Sequence, residues 1–536
     1  MSLTTAPVSA AFLFSCCLFT LHALHMFQLN SYKIGIQLRW LAGHRRGWLG
    51  RNVLLLPLLL IFRLNSQIAP GAMFVCFSGQ ALAQFLYARS HPAKKPLVYT
   101  NRVKRLLTTH AVLLSALAFL PPSFANAGGD GAASFLAVWG LWLAFLHMLT
   151  PFFILLANIV NSPLEKWINN RYVDDARRLL RDHPKLLVLG VTGSYGKTST
   201  KFFLHKLLSM KYNVLMTPEN YNTTLGVVRA VRENLKPWHE IFICEMGARN
   251  VGDIKEICDL VKPAHGVITS IGPQHLESFR SLENVVRTKF ELADALPEGG
   301  AAFLNLNNAC IRAERNRRAD SGPKMKSVAC GFSEDCDYRA HDVGVSAGGS
   351  SFFVTMPDGE NLAFETALIG RHNVENIVMA VAAADFLGVG RNDIVIGVRR
   401  LEPVPHRLQL IRSGRDILID DAYNSNVTGA KAALDALALF DGRKILVTPG
   451  MVELGSRQDE LAGQFGAQAA EVCDFVILIG KLQTENILSG LKKAGYPEDK
   501  IYVEDTLAAG LARVASLNTD GERKIVLLEN DLPDNY

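Results

Sequence analysis

Paired cysteines, acidic residues near the start and one expected glycine are what this chain of 536 residues is short of, and each shortage excludes something. No two of the nine cysteines stand at CxxC spacing. A zinc ribbon, a redox motif and a disulfide framework are therefore set aside in favour of inert thiols in a reducing compartment. Internal repeats and low-complexity tracts are absent as well, which removes solenoid architectures. Residues 1–181 contain 4 Asp and Glu against 17 Lys and Arg, a net +13, whereas the remaining 355 carry 46 against 39, a net −7. The overall +6 is a sum of two unlike parts, so no nucleic-acid partner is expected.

What the acid-poor part does have is apolar length. Runs at 7–26, 52–65, 68–87, 106–121 and 133–160 are candidates for crossing a bilayer, which takes about 20 mostly uncharged residues. The second and fourth are short, and the second holds Pro57 and Arg63, so a re-entrant pair is the alternative there. The fifth carries no formal charge and is long enough to tilt, to kink at Pro151 or to emerge from the membrane. Before Lys33 there is no Lys or Arg, so the n-region of a cleaved signal peptide is missing. Lys33, Arg39, Arg45, Arg46 and Arg51 fill one loop, and Arg89, Lys94, Lys95, Arg102, Lys104 and Arg105 fill another. The N-terminus, the Gln67 region and 121–132 have none. Basic loops stay on the cytoplasmic side. A multi-pass region of about five helices over 1–161 is expected in the inner or plasma membrane, with the N-terminus outside and everything after Val160 in the cytoplasm.

Residues 162–184 read as an amphipathic connector, with Trp167, Tyr172, Leu179 and Leu180 among Lys166, Arg171, Arg177, Arg178 and Arg181. Such a helix is expected to lie against acidic lipid headgroups. Beyond it the pattern is α/β. Short apolar strands (KLLVLG, EIFICEMG, HGVITSIG, GGAAFLNL) alternate with helical stretches such as DIKEICDLV, which predicts a mostly parallel sheet covered on both faces over 185–402. A helix after Arg371 leads to a second strand set (LQLIRS, DILIDDAY, RKILVTPG, FVILIG, KIYVED, KIVLLEND), a smaller doubly wound domain over 403–536. That domain stops at Tyr536, shortly after its last strand, without the helix expected to complete it; Asp531 and Asp534 there read as a solvated acidic tail.

The chemistry starts at GVTGSYGKTST, residues 190–200. A strand, a glycine-rich turn and a helix N-terminus aim several backbone N–H groups at one point, which suits phosphate. Lys197 would reach the outer phosphates and Thr198 would hold Mg²⁺, with Ser194 and Ser199 beside them. The usual GxxxxGK[ST] spelling needs glycine where Val191 stands, so Gly193 and Gly196 are the turn residues instead.

TGSYGKTST resembles the ATP loop of the Mur ligase family, the amide-forming synthetases of peptidoglycan precursors. ENYNTTLG (219–226), EMGARNVGDI (245–254), TSIGPQHLESFRSLENVVRTKFEL (269–292), GRHNVENIVMAVAAA (370–384), PHRLQLI (405–411), DDAYNSNV (420–427) and GMVELG (450–455) follow in the family's order, across half the chain. Within the family they are most similar to the branch that adds D-alanyl-D-alanine to the muramoyl tripeptide. The resemblance implies ATP and Mg²⁺ as cofactors. It implies Thr198 and Glu245 at one metal, with His275 and Lys289 at a second, the lysine as a carbamate. It further implies Asn305, Asn373 and Asn376 near the nucleotide base, and Arg407, Asp421, Tyr423 and Asn424 in the stretch that brings the C-terminal domain over ATP. Asn222, Thr223 and Thr224 match acceptor-contacting positions. Each has an ordinary counterpart reading, as strand-end carboxylate, helix lysine or loop asparagine.

The implied reaction is ATP-dependent amide formation through an acyl phosphate, in cell-wall or envelope precursor synthesis. The soluble ligases of the family begin with a domain for the UDP-sugar, and 160–186 has no room for one. A lipid-linked precursor as acceptor, an amino acid or dipeptide as amine, and membrane lipids are the partners this departure suggests. A membrane-attached polyglutamate-type synthase and, from another class, a transport or assembly ATPase are the alternatives.

Overall fold

The computed structural model describes residues 6–50, 52–63, 68–90, 96–119, 131–219, 221–274, 276–319, 325–423, 426–452 and 457–531. The chain forms two compact units, one ending at Asn170 and the other starting at Arg171.

The first unit is helical: α1 (Ala6–Leu29), α2 (Ile34–Gly43), α3 (Arg45–Gly50), a 3-10 stretch (Val53–Arg63), α4 (Ala69–Ser90), α5 (Asn101–Phe119), α6 (Gly131–Met148) and α7 (Thr150–Arg181). Two of these, α1 and α4, are long and apolar enough to cross a membrane. They pack through side chains three to four residues apart, with Phe12 and Phe77 edge to face at 5.4 Å. Among the described residues, two helices, or three if one bent pair counts as a span, meet that length, beside the five runs expected from the sequence. Run 133–160 breaks at Leu149, and the helices on either side are bent by 67°. Pro151 thus falls in the first turn of α7, where its missing N–H breaks no helical bond. Within run 52–65 the described residues Val53–Arg63 form an 11-residue 3-10 stretch around Pro57. In α5 the first turn holds Arg102, Lys104 and Arg105, so its apolar part begins only at Leu106. The Gln67 region and residues 120–130 lie outside the described residues.

Polar groups inside an apolar bundle must bond to one another. His147 Nδ1 donates to Asn52 Oδ1 at 2.8 Å, which leaves Nε2 to accept the Ser15 hydroxyl at 2.8 Å. Between α5 and α7, Arg105 grips Glu165 through two bonds of 2.7 and 2.8 Å, and Thr109 donates to Asn161 at 2.8 Å.

The second unit opens with β1 (Leu187–Thr192), α8 (Lys197–Leu208), β2 (Val214–Met216), α9 (Thr224–Asn234), β3 (Ile241–Met246), α10 (Asp253–Val261), β4 (His265–Ile268), α11 (Leu276–Phe279) and α12 (Leu282–Asp294). β5 (Ala301–Asn305), α13 (Ala309–Ala319), β6 (Lys326–Gly331), β7 (Tyr338–Ser346), β8 (Gly349–Thr355), β9 (Asn361–Thr366), α14 (Arg371–Phe386) and α15 (Arg391–Arg399) follow. The sheet runs β2-β3-β1-β4-β5-β6-β7-β8-β9, parallel up to β7 and antiparallel beyond. One face is covered by α8, α14 and α15, the other by α9, α10, α12 and α13. The middle of α14, IVMAVAAA, is buried on every side, as a helix apolar all round must be.

The last turns of α7 correct the connector reading. Ala176 is fully buried, and Val173, Leu179 and Leu180 pack into the core beneath α9, α10, α12 and α13 rather than being left for headgroups. Their spacing makes one apolar stripe, and the helix-covered sheet face accepts it. Asp175 fixes the contact by pairing with Arg232 at 2.7 Å and with Arg178.

A second sheet, β10 (Gln409–Ser413), β11 (Asp416–Asp421), β12 (Arg443–Thr448), β13 (Phe475–Ile479), β14 (Ile501–Glu504) and β15 (Lys524–Glu529), has the order β10-β11-β15-β12-β13-β14. Only the β10–β11 pairing is antiparallel. Helices α16 (Val427–Ala438), α17 (Gln458–Val472) and α18 (Glu485–Lys493) cover one face, and α19 (Leu507–Ser516) lies on the other.

Candidate active site

β1 delivers the chain into the turn before α8, and the turn is held from below. Ser194 N donates to Ser270 O at 2.6 Å, Tyr195 N to Ser270 Oγ at 3.0 Å, and Ser194 Oγ to Gly272 O at 3.2 Å. The loop after β4 therefore acts as a rigid floor. Both turn glycines are required by geometry. Gly193 has φ 153° and Gly196 has φ 78°; added Cβ atoms would lie 2.0 Å from Thr269 Oγ1 and 2.6 Å from Asn376 Oδ1. Asn376, on α14, thus closes against the turn, while Asn305 supports it from β5 by donating to Thr269 O at 2.9 Å and to Glu375 at 3.1 Å.

Lys197 is the first residue of α8 and curls back so that Nζ donates to Gly193 O at 2.8 Å and Ser194 O at 3.0 Å. Burial, opposed by Glu245 and helped by Arg407, pushes its ammonium down to about 8. A phosphate at the turn would favour the ammonium form. Nucleotide affinity should therefore be level below about pH 8 and weaken about tenfold per pH unit above it, where the free protein has lost that proton. Calorimetric titrations on both sides of this pH, in buffers of different ionisation enthalpy, should show proton uptake only on the alkaline side.

Glu245 ends β3 at the carboxyl edge of the sheet, 1% exposed. Oε1 accepts from Asn222 Nδ2 at 3.1 Å and from Thr198 Oγ1 at 3.3 Å, while Oε2 lies 3.0 Å from Lys201 Nζ. Burial alone would raise its pKa, but Lys201, Lys197 and Asn222 outweigh it and hold the carboxyl below its usual value. Lys289 on α12 is buried at 2% exposure, and burial with the nearby Lys197 charge pushes its amine far below the normal lysine range. Arg407 stacks over the Tyr423 ring at 4.5 Å and is felt electrostatically at Lys197. Asp421 accepts from Leu408 N at 3.1 Å, and burial lifts it to about 7 against the pull of Arg407. The segment just before β10 thereby brings an arginine near the glycine turn.

The segment 191–384 matches the Mur ligase middle domain, and 406–528 matches the Mur ligase, glutamate ligase domain. MurF from Acinetobacter baumannii superposes with a TM-score of 0.61 at 27% identity, covering 68% of this chain and 77% of that one. UDP-N-acetylmuramoyl-tripeptide--D-alanyl-D-alanine ligase of Bacillus subtilis is 32% identical over 55% of this chain and 63% of that enzyme. The Escherichia coli enzyme of the same name is 31% identical over 61% of this chain and 73% of that enzyme. The chain belongs to the Mur ligase family. It is an ATP-dependent amide-bond ligase.

In this Mur ligase the structure gathers Gly193, Ser194, Gly196, Lys197, Thr198, Asn222, Glu245 and Asn376 around one turn, with Lys289 and Arg407 coupled to Lys197 by charge and Asp421 coupled to Arg407. Other expected positions are spent locally. Asn373 donates to Ile369 O at 2.8 Å, Thr223 caps α9 through Gly226 N, and Thr224 is the first residue of that helix. Ser199 is buried within α8. His275 and Asn424 lie outside the described residues. Sequence reasoning missed Lys201, which is fully buried against Glu245. A signal existed: Lys201, Leu204 and Leu208 share one helical stripe, and a lysine in an apolar stripe needs a partner.

Proposed function

We propose that this Mur ligase joins an amine to the carboxylate of a muramoyl-peptide-type envelope precursor, with the central domain at 185–402 and the C-terminal domain at 403–536. One observation carries the reading: Lys197, Thr198 and Glu245 meet at a glycine turn on the carboxyl edge of a parallel sheet, with Asn222 on the same carboxylate.

The donors fit Mg²⁺. Among the described residues no cluster of three or more His, Cys, Asp and Glu exists, but Mg²⁺ commonly takes one carboxylate, a hydroxyl, waters and phosphate oxygens. Thr198 Oγ1 and Glu245 Oε1, 3.3 Å apart, supply the protein's share. Bound there, the ion would offset phosphate charge so that a carboxylate can approach. Lys197 adds its own positive charge at the outer phosphates, and the backbone N–H groups of the turn orient them. Lys289, whose amine burial shifts well below the ordinary lysine range, would be suited to carry a carbamate that presents an oxygen to a second cation. Arg407, arriving from the C-terminal domain, completes the enclosure and helps keep water from the acyl phosphate.

The relatives act on UDP-N-acetylmuramoyl-tripeptide and D-alanyl-D-alanine, as their names state. Because apolar helices precede the matched segment, we assign the acceptor here to a lipid-linked precursor at the cytoplasmic face of the membrane. The test is phosphate release by the full chain in detergent, with ATP, UDP-muramoyl tripeptide or extracted envelope lipids, and a panel of amino acids and dipeptides that includes glutamate. Release that needs both lipid extract and an amine is expected. Rapid turnover of the soluble nucleotide precursor without lipid would reject the lipid-linked acceptor, and products of increasing length with glutamate would favour a polyglutamate-type reaction.

A further inference from the structure

We infer that Lys201 is a positioning residue that ties the loop carrying Glu219 and Asn222 to the Glu245 carboxylate, and so sets the acceptor side of the site against its metal side. The inference rests on the proposed reading of that loop as acceptor-facing.

The Lys201 side chain is 0% exposed and that of Glu245 1%, with 3.0 Å between Nζ and Oε2. A buried ion pair is weak evidence of stabilisation, since apolar replacements often serve as well. Lys201 does more than neutralise a carboxylate, however. Its Nζ also donates to Glu219 O at 2.6 Å. Glu219 has φ 40°, a left-handed backbone that a residue with a Cβ adopts only when its surroundings impose it. Three residues on, Asn222 O accepts from Gly247 N at 2.7 Å and Asn222 Nδ2 donates to Glu245 Oε1 at 3.1 Å. The loop is therefore pinned at both places to the end of β3, once through Lys201 and once directly.

This arrangement also divides the carboxylate. Oε2 belongs to Lys201, while Oε1 is shared by Asn222 and Thr198. With Oε2 engaged, only Oε1 faces the hydroxyl expected at the metal. A pull on Asn222 from a bound acceptor would be transmitted to that same oxygen.

The test is hydrogen exchange of the peptide spanning 217–224, measured in the full chain without nucleotide or acceptor, for wild type, Lys201→Met and the double variant Lys201→Met with Glu245→Gln. The double variant removes both charges and guards against loss of fold in the single one. Exchange about tenfold faster in both variants is expected, the equivalent of one charge-assisted hydrogen bond. Exchange that returns to within about twofold of wild type in the double variant would overturn the inference, because Lys201 would then serve only to neutralise Glu245. Kinetics give a second readout: with Lys201→Met the acceptor KM should rise about tenfold while the ATP KM stays nearly constant, and equal rises in both would count against the inference. Exchange requires no turnover, so failure of the proposed reaction would leave this result standing on its own.

Discussion

Replacing Lys197 by alanine should cut amide formation at least about a thousandfold, the loss of roughly 4 kcal/mol of transition-state stabilisation, with little change in fold. Among the described residues the ammonium is bonded to the carbonyls of Gly193 and Ser194 alone, at 2.8 and 3.0 Å, so its removal costs two hydrogen bonds within one loop. At about 1 kcal/mol each, and offset by the cost of burying the charge, these leave the melting temperature nearly unchanged. The reaction loses far more, because two anions must meet and this is the positive charge placed at the turn. Product formation at saturating ATP measures the first effect and thermal melting the second. A variant that keeps its activity would mean that the nucleotide loop serves structure alone.

Glu245→Gln should be the second severe change, and it should affect stability as well as rate. In the wild-type interior the carboxylate offsets the Lys201 charge. The amide leaves that ammonium buried without its counter-charge, which typically costs about 3–5 kcal/mol, here reduced because Glu219 O still accepts at 2.6 Å. A fall in melting temperature of roughly 5 °C is expected, together with a rate loss of about a thousandfold from the weakened Mg²⁺ site. Adding Lys201→Met should recover most of the stability and none of the rate. Recovery of both would remove Glu245 from the chemistry.

Much of this fold was legible because its strands are apolar runs that end in turn residues. KLLVLG, EIFICEMG, HGVITSIG and GGAAFLNL became β1, β3, β4 and β5, and the six strands expected after Arg371 became β10 to β15. The strands that escaped are β2, β6 and the antiparallel edge. β2 is a three-residue strand, too short for any periodicity. The antiparallel edge, β7 to β9, alternates apolar and polar residues in line with one covered and one open face, a weaker signal than a continuous run. In the first unit α5 opens on Arg102, Lys104 and Arg105 ahead of the apolar run read from Leu106, and Pro57, flagged in the sequence, lies in a 3-10 stretch. The glycine turn could be read from Gly193 and Gly196 because both positions need positive φ. The bond from Lys201 to Glu219 could not, because it joins a helix interior to a loop 18 residues away.

The acyl-phosphate route is the centre of the account, and oxygen transfer tests it most directly. The full chain would be given ATP, an amine and an acceptor whose carboxylate carries heavy oxygen, and the released phosphate would be weighed by mass spectrometry. One labelled oxygen per phosphate is predicted, since the acceptor carboxylate attacks phosphorus and loses that oxygen when the amine displaces phosphate. Phosphate carrying no label, released at the same rate with or without the amine, would contradict the account and mark the chain as an ATPase that delivers the γ-phosphoryl group to water.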